Sequence, residues 1–357
     1  MHARHPRHYE QAIQIIDTYL GTMPFALYLK TVFRQHKNWG SKDRKAYREL
    51  CYLYWKNFRL IDDCDENNRA ELLKSIDTGL TPTDADPYNR LKGHISQQIS
   101  IADLSNWMQE PAPVYLYVWD DSTHEECIQA GGTQINASNT WMFPSGTDLQ
   151  NWIDGGIGII QDIASTQVIE RHKAIFSEQH VWDCCAGAGG KALMIKQLGN
   201  PNHLICTDMR STILDNLVIR FRTNKKEVPE VRVLDLSQKA SANELKGIHA
   251  QVVLADVPCT GSGTWRRNPE VLALFNEKQI AEYAEVQHGI LTALAESEHI
   301  NTILYCTCSL FHKENEDQME RFLEAHSDFR MIESGYAGNT ALKVRGDYLF
   351  SAVLKRN

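Results

Sequence analysis

The sequence predicts an α/β fold in which a doubly wound, mostly parallel sheet follows an all-helical region. From about residue 171 onward, short apolar runs alternate with segments of helical spacing, a pattern typical of strand–helix units in a parallel sheet. Before residue 110, apolar residues recur every three or four positions, as in amphipathic helices. We therefore expect a helical domain at 1–110, a small α/β linking subdomain at 111–170 and the doubly wound domain at 171–357.

Two N-terminal stretches place their apolar residues on one face of a helix. They consist of Tyr9, Ala12, Ile13, Ile16 and Leu20, and of Tyr47, Leu50, Cys51, Tyr54, Trp55 and Phe58. Because helical spacing already explains the aromatic residues, we interpret them as core rather than as a platform for stacking bases. Turn residues at Gly79 and Pro82–Pro87 interrupt the helical pattern.

The remaining elements are predicted from short apolar runs bounded by turn residues. The linking subdomain begins at Pro111 and contains a predicted strand at Val114–Trp119. The third part has predicted helices at Lys191–Leu198 and Glu277–Ala295. Its predicted strands are Val181–Cys185, Leu204–Asp208, Val231–Asp235, Val252–Asp256, Ile303–Cys306 and Tyr348–Leu354.

Composition restricts the class of protein. Hydrophobic residues make up 43% and charged residues 23% of the 357 positions, which excludes a disordered or collagen-like chain. No apolar run approaches the roughly 18 residues of a membrane span, and Met1–Glu10 is not followed by the apolar segment of a signal peptide. Nine cysteines without C-x-x-C spacing predict reduced thiols, a cytoplasmic location and neither a disulfide framework nor a metal site.

Charge is distributed unevenly along the chain, whose net charge is −8. Residues 1–60 contain eleven lysines and arginines against four acidic residues, and residues 61–110 contain four against ten. This asymmetry is a reason to look for a local basic face. On charge alone, a solvated helical surface is the favoured interpretation.

A glycine-rich turn, DCCAGAGGK at residues 183–191, connects a predicted strand to a predicted helix. Glycines allow close approach of the backbone to a ligand, and a helix N-terminus offers unpaired N–H groups. Asp208 ends the next strand, where dinucleotide-binding folds hold a ribose diol. The spacing matches neither G-x-G-x-x-G nor a Walker P-loop, so it suits a nucleoside cofactor without phosphates, such as S-adenosylmethionine. A purely structural turn is the alternative at this point.

Two further segments follow strand ends, DVPCTGSGTWRRNP at residues 256–269 and YCTCS at residues 305–309. Ligands bind at this edge of open α/β sheets. Arg266 and Arg267 suit contacts with phosphates or bases, and a solvated loop is the alternative. A single buried cysteine is usually a packing residue, but two cysteines at equivalent strand ends favour a chemical role.

A thiol is suited to adding to C6 of a pyrimidine base. That carbon is electrophilic once N3 is protonated or hydrogen-bonded by a carboxyl group, and the addition makes C5 a nucleophile. Such a reaction requires a thiolate, a carboxyl group, a methyl donor and a base removed from its stack. The sequence contains candidates for all of these except the base.

The three segments resemble motifs of the Nop/Sun (RsmB-type) family of RNA cytosine-C5 methyltransferases. The family's C-A-A-P-G-G-K, D-A-P-C-S-G-T-G and T-C-S correspond here to CAGAGGK at 185–191, DVPCTGSG at 256–263 and Thr307–Ser309, followed by Glu314-Asn315-Glu316. Residues 158–165 and 346–350 are similar to the family's entry segment and closing strand. The resemblance covers residues 158–357 and implies a Rossmann-like, S-adenosylmethionine-dependent methyltransferase domain.

The N-terminal part is similar to the NusB-like RNA-binding domain found ahead of some bacterial members. The similarity lies in Asp43–Lys45, Leu50–Tyr52 and Arg59. It implies the branch that acts on small-subunit (16S) ribosomal RNA. The basic surplus of residues 1–60 is compatible with RNA as the partner.

The resemblance implies a role for each matching residue. Cys308 is expected to attack C6, Asp256 to hold or protonate N3, and Cys259 to assist the release of Cys308 after methylation. The residues expected to bind the cofactor are Cys185, Ala186, Gly187, Ala188, Gly189, Gly190, Lys191, Asp208 at the ribose, Asp235 near the adenine, and Asp256. Those expected to contact RNA are Lys191, Arg266 and Arg267.

The sequence departs from the family pattern at a few positions. Ala188 replaces the family's proline and Gly187 replaces an alanine, so we expect a less rigid turn and a weaker hold on the cofactor. Cys306 replaces a residue that is usually serine. Because side chains two apart in a strand share a face, Cys306 is either a competing thiol or a packed one, and we favour the packed one.

Three alternatives remain open at the level of sequence. Cys259 is the nucleophile in one of them, since DNA cytosine methyltransferases use a Pro-Cys thiol. A second is a non-catalytic RNA-binding or ribosome-assembly factor that retains the fold, and a third is a nicotinamide dehydrogenase. The leading hypothesis is a methyltransferase that uses S-adenosyl-L-methionine on RNA without a metal, and for which we favour a monomer.

Overall fold

The computed structural model describes residues 4–80, 91–136, 138–236, 245, 247–339 and 345–357. Its contacts divide the chain into two compact units. The helical unit consists of Met1–Gly93, Ile101–Glu110 and Trp265–Asn276, and the sheet unit consists of His94–Ser100, Pro111–Thr264 and Glu277–Asn357. The three-part division predicted from the sequence stays a prediction.

The described helices are, in chain order, α1 Pro6–Asp17, α2 Phe25–Gln35, α3 Ser41–Lys56, α4 Phe58–Asp62, α5 Arg69–Asp77, α6 Ile101–Gln109, α7 His124–Gln129, α8 Gln150–Asp154, α9 Ile163–Phe176, α10 Gly190–Leu198, α11 Ser211–Thr223, α12 Pro269–Ala273, α13 Lys278–Ala295 and α14 Glu316–Ala325. The strands are β1 Val114–Val118, β2 Thr133–Gln134, β3 Thr140–Phe143, β4 Gly158–Ile160, β5 His180–Asp183, β6 His203–Asp208, β7 Glu230–Val233, β8 Val252–Asp256, β9 Thr302–Thr307, β10 Phe329–Asn339 and β11 Arg345–Arg356. None of the described helices is long and apolar enough to cross a membrane.

The core of the helical unit contains the apolar faces predicted from helical spacing. Tyr47, Tyr54 and Trp55 are buried, which confirms that this aromatic stripe packs inside the unit. The prediction that Leu20 lies on the apolar helical face is wrong, because this residue is 83% exposed and lies beyond the end of α1. The helix stops at Asp17, where the next residue caps it with its backbone N–H, so Leu20 no longer follows the helical face.

The linking region contains a four-stranded antiparallel sheet in the order β2-β3-β1-β4. One of its two inner strands is β1, which matches the strand predicted at Val114–Trp119 to within one residue. Leu116, Trp141 and Phe143 are buried on this sheet. Residues 111–160 therefore have a small core of their own.

The large sheet has seven strands in the order β10-β11-β9-β8-β5-β6-β7. The five strands from β9 to β7 are parallel, and β11 and β10 are added antiparallel at one edge. This arrangement confirms the predicted α/β class with a mostly parallel sheet. Strand β10 is absent from the prediction.

Helices cover both faces of the large sheet, because successive residues of its strands face two different cores. Val252 and Leu254 of β8 pack with α9, α10 and α11, whereas Val253 and Ala255 pack with α13 and α14. The strands are apolar on both faces for this reason. Since β5, β6, β8 and β9 run parallel, their carboxyl ends meet at one edge of the sheet, where Asp183, Asp208 and Asp256 are brought together.

Candidate active site

A cleft of about 670 Å³ opens at the carboxyl edge of the large sheet. This volume lies in the range typical of small-molecule sites. Ten of the residues predicted to act in the site line it, namely Cys185, Ala186, Gly187, Ala188, Gly190, Lys191, Asp208, Asp235, Asp256 and Cys259. Gly189 and Cys308 are not among the lining residues. The sulfur of Cys308 is nevertheless in contact with that of Cys259, which lines the cleft.

The glycine turn between β5 and α10 has two residues in backbone conformations that favour glycine. Gly187 and Gly189 have φ angles of +51° and +76°, which side-chain-bearing residues rarely adopt. A Cβ at Gly189 would lie 2.5 Å from Cγ of Leu217, so α11 packs directly against this residue. At Gly187 a Cβ would meet no atom within 4 Å, so the backbone there borders open space. The turn therefore presents bare backbone to the cleft just before the N-terminus of α10.

Asp208 is held at the end of β6 by a set of donors. Its carboxylate accepts hydrogen bonds from the backbone N–H of Gly187 at 3.0 Å and from the guanidinium of Arg210 at 2.9 and 3.1 Å. Burial alone would raise the pKa of Asp208, but the hydrogen bonds from Arg210 lower it below the ordinary value. An ionised carboxylate is therefore fixed next to the glycine turn.

Lys191 and Asp256 form an ion pair inside the cleft, with Nζ 2.7 Å from Oδ2. The Lys191 side chain is 13% exposed and that of Asp256 is 31% exposed. Burial opposes the charge of Lys191, but the Asp256 carboxylate raises the pKa of the ammonium group above its ordinary value. The cleft therefore contains a fixed cation in contact with the carboxylate that was predicted to act on the base.

Asp183 lies under the glycine turn and is 1% exposed. Among the described residues, no group donates a hydrogen bond to its Oδ1 atom. Burial and the nearby Asp256 carboxylate raise the pKa of Asp183 to about 8. This carboxyl group is therefore protonated over most of the neutral range.

Replacing Asp183 with asparagine is expected to change how stability depends on pH. Because the pKa of Asp183 is raised on folding, the native state binds one more proton than the unfolded state between the ordinary value and about 8. The wild-type free energy of unfolding then falls with rising pH, by up to about 1.4 kcal/mol per pH unit, relative to Asp183→Asn. Urea unfolding at pH 5, 6, 7 and 8 measures this difference. The exposed Asp215→Asn serves as the control, and a pH-independent difference for Asp183→Asn contradicts the assignment.

The two predicted catalytic thiols lie side by side. Sγ of Cys259 is 3.3 Å from Sγ of Cys308, although the residues are 49 positions apart in the sequence. The hydrogen bond between the sulfurs, together with burial, raises the pKa of Cys259 well above that of an ordinary thiol. Cys259 is thus held as a protonated thiol that can donate its hydrogen to the sulfur of Cys308.

The loops after β8 and β9 are joined by hydrogen bonds that fix this distance. The backbone N–H of Gly263 donates to the carbonyl of Cys308 at 2.9 Å, and the N–H of Leu310 donates to Oγ of Ser262 at 2.8 Å. A Cβ at Gly263 would lie 2.1 Å from the carbonyl oxygen of Tyr348, so only glycine fits there. Glycine at position 263, four residues after Cys259, therefore allows the loop after β8 to pack closely against β11 and the loop after β9.

A buried carboxylate, Glu314, completes the junction of these loops. It is fully buried and accepts hydrogen bonds from the backbone N–H of Thr260 at 3.0 Å and from the hydroxyl of Ser309 at 3.0 Å. The amide of Gln287 also points at Glu314, at 3.5 Å, and donates to the carbonyl of Pro258. Because Thr260 and Ser309 directly follow Cys259 and Cys308, Glu314 positions both thiols through their neighbours.

The structure answers two of the questions left by the sequence. Cys306 is fully buried in β9, and burial raises its pKa, so it is a packed residue as favoured. Arg266 is 3% exposed and its guanidinium lies 5.1 Å from the ring centroid of Trp107, so it is packed rather than part of a solvated loop, and its contact with RNA stays a prediction. A guanidinium packed in this way has little surface for a phosphate. Arg267 is exposed, and both arginines belong to the helical unit.

Several cleft residues were not predicted from the sequence. Gln161 and Arg220 line the cleft near Gly190, and Tyr283 of α13 lines it near Cys259. Gln161 lies in the segment that resembles the family's entry to the catalytic domain, so a signal for it was present. Arg220 and Tyr283 lie within ordinary helical patterns, and nothing in their spacing marks them.

The residues of the cleft fit S-adenosylmethionine, the cofactor expected from the sequence. This cofactor carries a ribose diol, an ammonium group, a carboxylate and a sulfonium cation. The open backbone at Gly187 and the acidic lining of Asp208, Asp235 and Asp256 suit its diol and cationic groups. Arg220 supplies a cation for a carboxylate. The unsatisfied oxygen of Asp183 is a further acceptor beneath the same turn.

Comparison with solved structures shows the fold. The crystal structure of PH0851 matches with a TM-score of 0.78 at 18% identity, covering 99% of this chain and 100% of that one. The crystal structure of NSun6 from Pyrococcus horikoshii with SFG matches with a TM-score of 0.57 at 16% identity, covering 71% and 94%.

Comparison of sequences identifies relatives. "Ribosomal RNA small subunit methyltransferase B" of Photorhabdus laumondii is 28% identical over 188 residues, which are 50% of this chain and 41% of that protein. The protein of the same name in Serratia proteamaculans is 27% identical over 199 residues, 53% and 43% of the two chains. The match therefore spans less than half the length of each relative.

The family model described as "16S rRNA methyltransferase RsmB/F" matches residues 173–352. These residues contain the glycine turn, both thiols, six strands of the large sheet and the first part of the seventh, β11. The helical region lies outside the match, so its similarity to a NusB-like domain stays a prediction. Because the match covers half of the chain, the protein belongs to the RsmB/F family of 16S rRNA methyltransferases, which confirms the resemblance drawn from its motifs.

Proposed function

We propose that the protein transfers a methyl group from S-adenosylmethionine to C5 of cytosine in ribosomal RNA, with 16S ribosomal RNA as the substrate. The observation that carries this proposal is the pair of thiols, Cys259 and Cys308, 3.3 Å apart beside a cleft that also contains Asp256. Methyl transfer to C5 of cytosine requires a thiol nucleophile and a carboxyl group, and a second thiol beside the nucleophile can assist its release.

The cofactor would be held by residues at the carboxyl ends of β5, β6 and β7. Asp208 would bind the ribose hydroxyls, Asp235 would lie at the adenine, and Arg220 would pair with the carboxylate of the methionine part. The bound cofactor supplies an electrophilic methyl group on a sulfonium cation. The protein contributes position and the exclusion of water from the cleft.

Cys308 would add to C6 of a cytosine that has left its stack. Asp256 would meet N3 of that base, and Lys191 would keep the carboxyl group oriented through its 2.7 Å ion pair. Addition of the thiolate to C6 transfers electron density to C5, which then accepts the methyl group. The protein thereby activates a carbon that is otherwise a poor nucleophile.

Cys259 would act in the release step. After methylation the C5 proton is lost and its electron pair restores the C5–C6 double bond as the C6–S bond breaks. The sulfur of Cys308 departs as a thiolate, which takes up the proton and so regenerates the thiol. The thiol of Cys259 is held protonated 3.3 Å from that sulfur, so it can donate a hydrogen bond to the departing thiolate. The match of Thr307-Cys308-Ser309 to the family's T-C-S motif supports Cys308 rather than Cys259 as the nucleophile.

The test is the detection of 5-methylcytidine. The purified protein is incubated with labelled S-adenosylmethionine and either a 16S ribosomal RNA transcript or isolated small subunits, and the RNA is digested to nucleosides. We expect label in 5-methylcytidine and in no other nucleoside. A transfer RNA transcript is the control for the class of RNA. RNA binding without transfer to any of these substrates would contradict the proposal and favour the non-catalytic alternative.

A further inference from the structure

A second cavity lies in the helical unit, between α2 and α3. It measures about 470 Å³ and is lined by six residues, Lys30, Phe33, Arg34, Lys37, Arg44 and Arg48, which we call the basic groove. Five of the six side chains are cationic, and the sixth provides an aromatic floor that is 7% exposed. Arg48 places its guanidinium 6.0 Å from the ring centroid of Phe33.

The cations of the basic groove have no acidic partners among the residues that the structure describes. In addition, the Nε–H group of Arg44 is buried and donates a hydrogen bond to no described group. Other basic residues of the same unit are paired: Arg4 with Glu49 at 2.7 Å and Arg69 with Asp17 at 2.9 Å. Five cations without an acidic partner among the described residues therefore lie together in the basic groove, although the whole chain carries a net charge of −8.

The sequence positions of these cations are unfavourable for the helices themselves. Lys30 and Arg34 are four residues apart on α2, and Arg44 and Arg48 are four residues apart on α3. Like charges at this spacing destabilise a helix, and here two such pairs line the same groove. An anionic ligand would remove this repulsion, so the arrangement is explained by binding rather than by folding.

We propose that the basic groove binds the phosphate backbone of RNA. This inference rests on the proposed function, which makes RNA the substrate. Arginine guanidinium groups form paired hydrogen bonds with phosphates, and a cationic groove with an aromatic floor is the usual form of a surface that follows a nucleic-acid backbone. The groove contacts backbone rather than base edges, so it holds RNA of many sequences and leaves the choice of cytosine to the cleft.

Two triple variants with the same change in charge test the groove. The groove variant is Lys30→Gln, Arg34→Gln and Lys37→Gln, and the control variant is Lys45→Gln, Lys74→Gln and Arg321→Gln. The control residues are ion-paired and lie outside the groove. All six side chains are partly or fully exposed, so both variants are expected to fold, which circular dichroism checks.

Binding of the full chain to a labelled 16S ribosomal RNA transcript is measured by filter binding at several salt concentrations. Removing three phosphate contacts is expected to reduce the slope of log affinity against log salt by about 2 and to weaken binding at 0.1 M salt about ten- to a hundredfold. The control variant is expected to bind like the wild type. Equal binding by the groove and control variants overturns the proposal.

Two further readouts separate this inference from the proposed function. The groove variant is expected to raise KM for RNA while kcat for methyl transfer at saturating RNA is retained. If the wild type transfers no methyl group but the groove variant still loses RNA affinity, the proposed function fails and the groove stands. If the groove variant loses binding to polyglutamate, a stand-in for an acidic protein, and keeps its RNA affinity, the groove binds a different class of partner and the proposal fails.

Discussion

Replacing Cys259 with alanine is expected to trap the protein on its RNA, whereas replacing Cys308 with alanine is expected to abolish both trapping and methyl transfer. With Cys308 as the nucleophile, its loss removes the covalent step, and losses of about 10⁴-fold or more in rate are usual for such a change. With Cys259 as the release thiol, its loss leaves Cys308 bonded to C6 of the methylated base. Adducts that survive a denaturing gel measure this outcome.

The short distance between the sulfurs makes this a sensitive test. At 3.3 Å either thiol is near enough to the same base, so position alone does not assign the roles. The controls are Cys64→Ala, a half-exposed cysteine in the helical unit, and the wild type without S-adenosylmethionine. If Cys308→Ala accumulates the adduct and Cys259→Ala forms none, Cys259 is the nucleophile, as in the alternative that the sequence left open. If neither variant forms an adduct while the wild type is active, the covalent mechanism is wrong.

The parallel part of the fold was predictable because its strands are buried on both faces. Such strands appear as short, continuous apolar runs, and Val252–Asp256 was predicted with the bounds that the structure has. Strand β10 was not predicted because it is an edge strand whose side chains are mostly exposed from Arg330 to Ser334. Its pairing with β11 depends on backbone hydrogen bonds, which leave no trace in hydrophobic periodicity.

The composition of the cleft was predictable where chemistry lies at a strand end. Motifs at the ends of β5, β6 and β8 meet because parallel strands bring their carboxyl ends to one edge. Arg220 and Tyr283 lie on helices, and the packing of those helices against the sheet determines that their side chains line the cleft. The burial of Arg266 was equally hidden, because it depends on Trp107, which is far away in the sequence.

The support beneath the two thiols shows what spacing alone cannot reveal. Glu314 follows Cys308 by six positions and resembles a surface residue in the sequence, yet it is fully buried. Burial raises the pKa of Glu314 above its ordinary value, and hydrogen bonds from Thr260, Ser309 and Gln287 offset part of this effect by stabilising the charged form. A buried carboxylate with such a set of donors keeps two loops in register, so the distance between the sulfurs is a property of this network as much as of the cysteines.

Replacing Asp256 with asparagine is expected to have the second-largest effect, on both activity and stability. Loss of a carboxyl group that acts on the base typically costs about 10²- to 10⁴-fold in rate. In addition, Lys191 is left 13% exposed without its counter-charge, and breaking a buried pair destabilises a protein by about 3–5 kcal/mol, less here because Asp256 is partly exposed. Methyl transfer and urea unfolding measure the two effects.

Combining Asp256→Asn with Lys191→Met separates chemistry from folding. Methionine removes the uncompensated charge while keeping an apolar side chain of similar length, so the double variant is expected to recover much of the lost stability. Activity is expected to stay low, because the carboxyl group at N3 is still missing. If activity returns together with stability, Asp256 serves only as the partner of Lys191 and another group must act on the base. If neither activity nor stability returns, the ammonium group of Lys191 has a role of its own and belongs with the groups that contact the RNA.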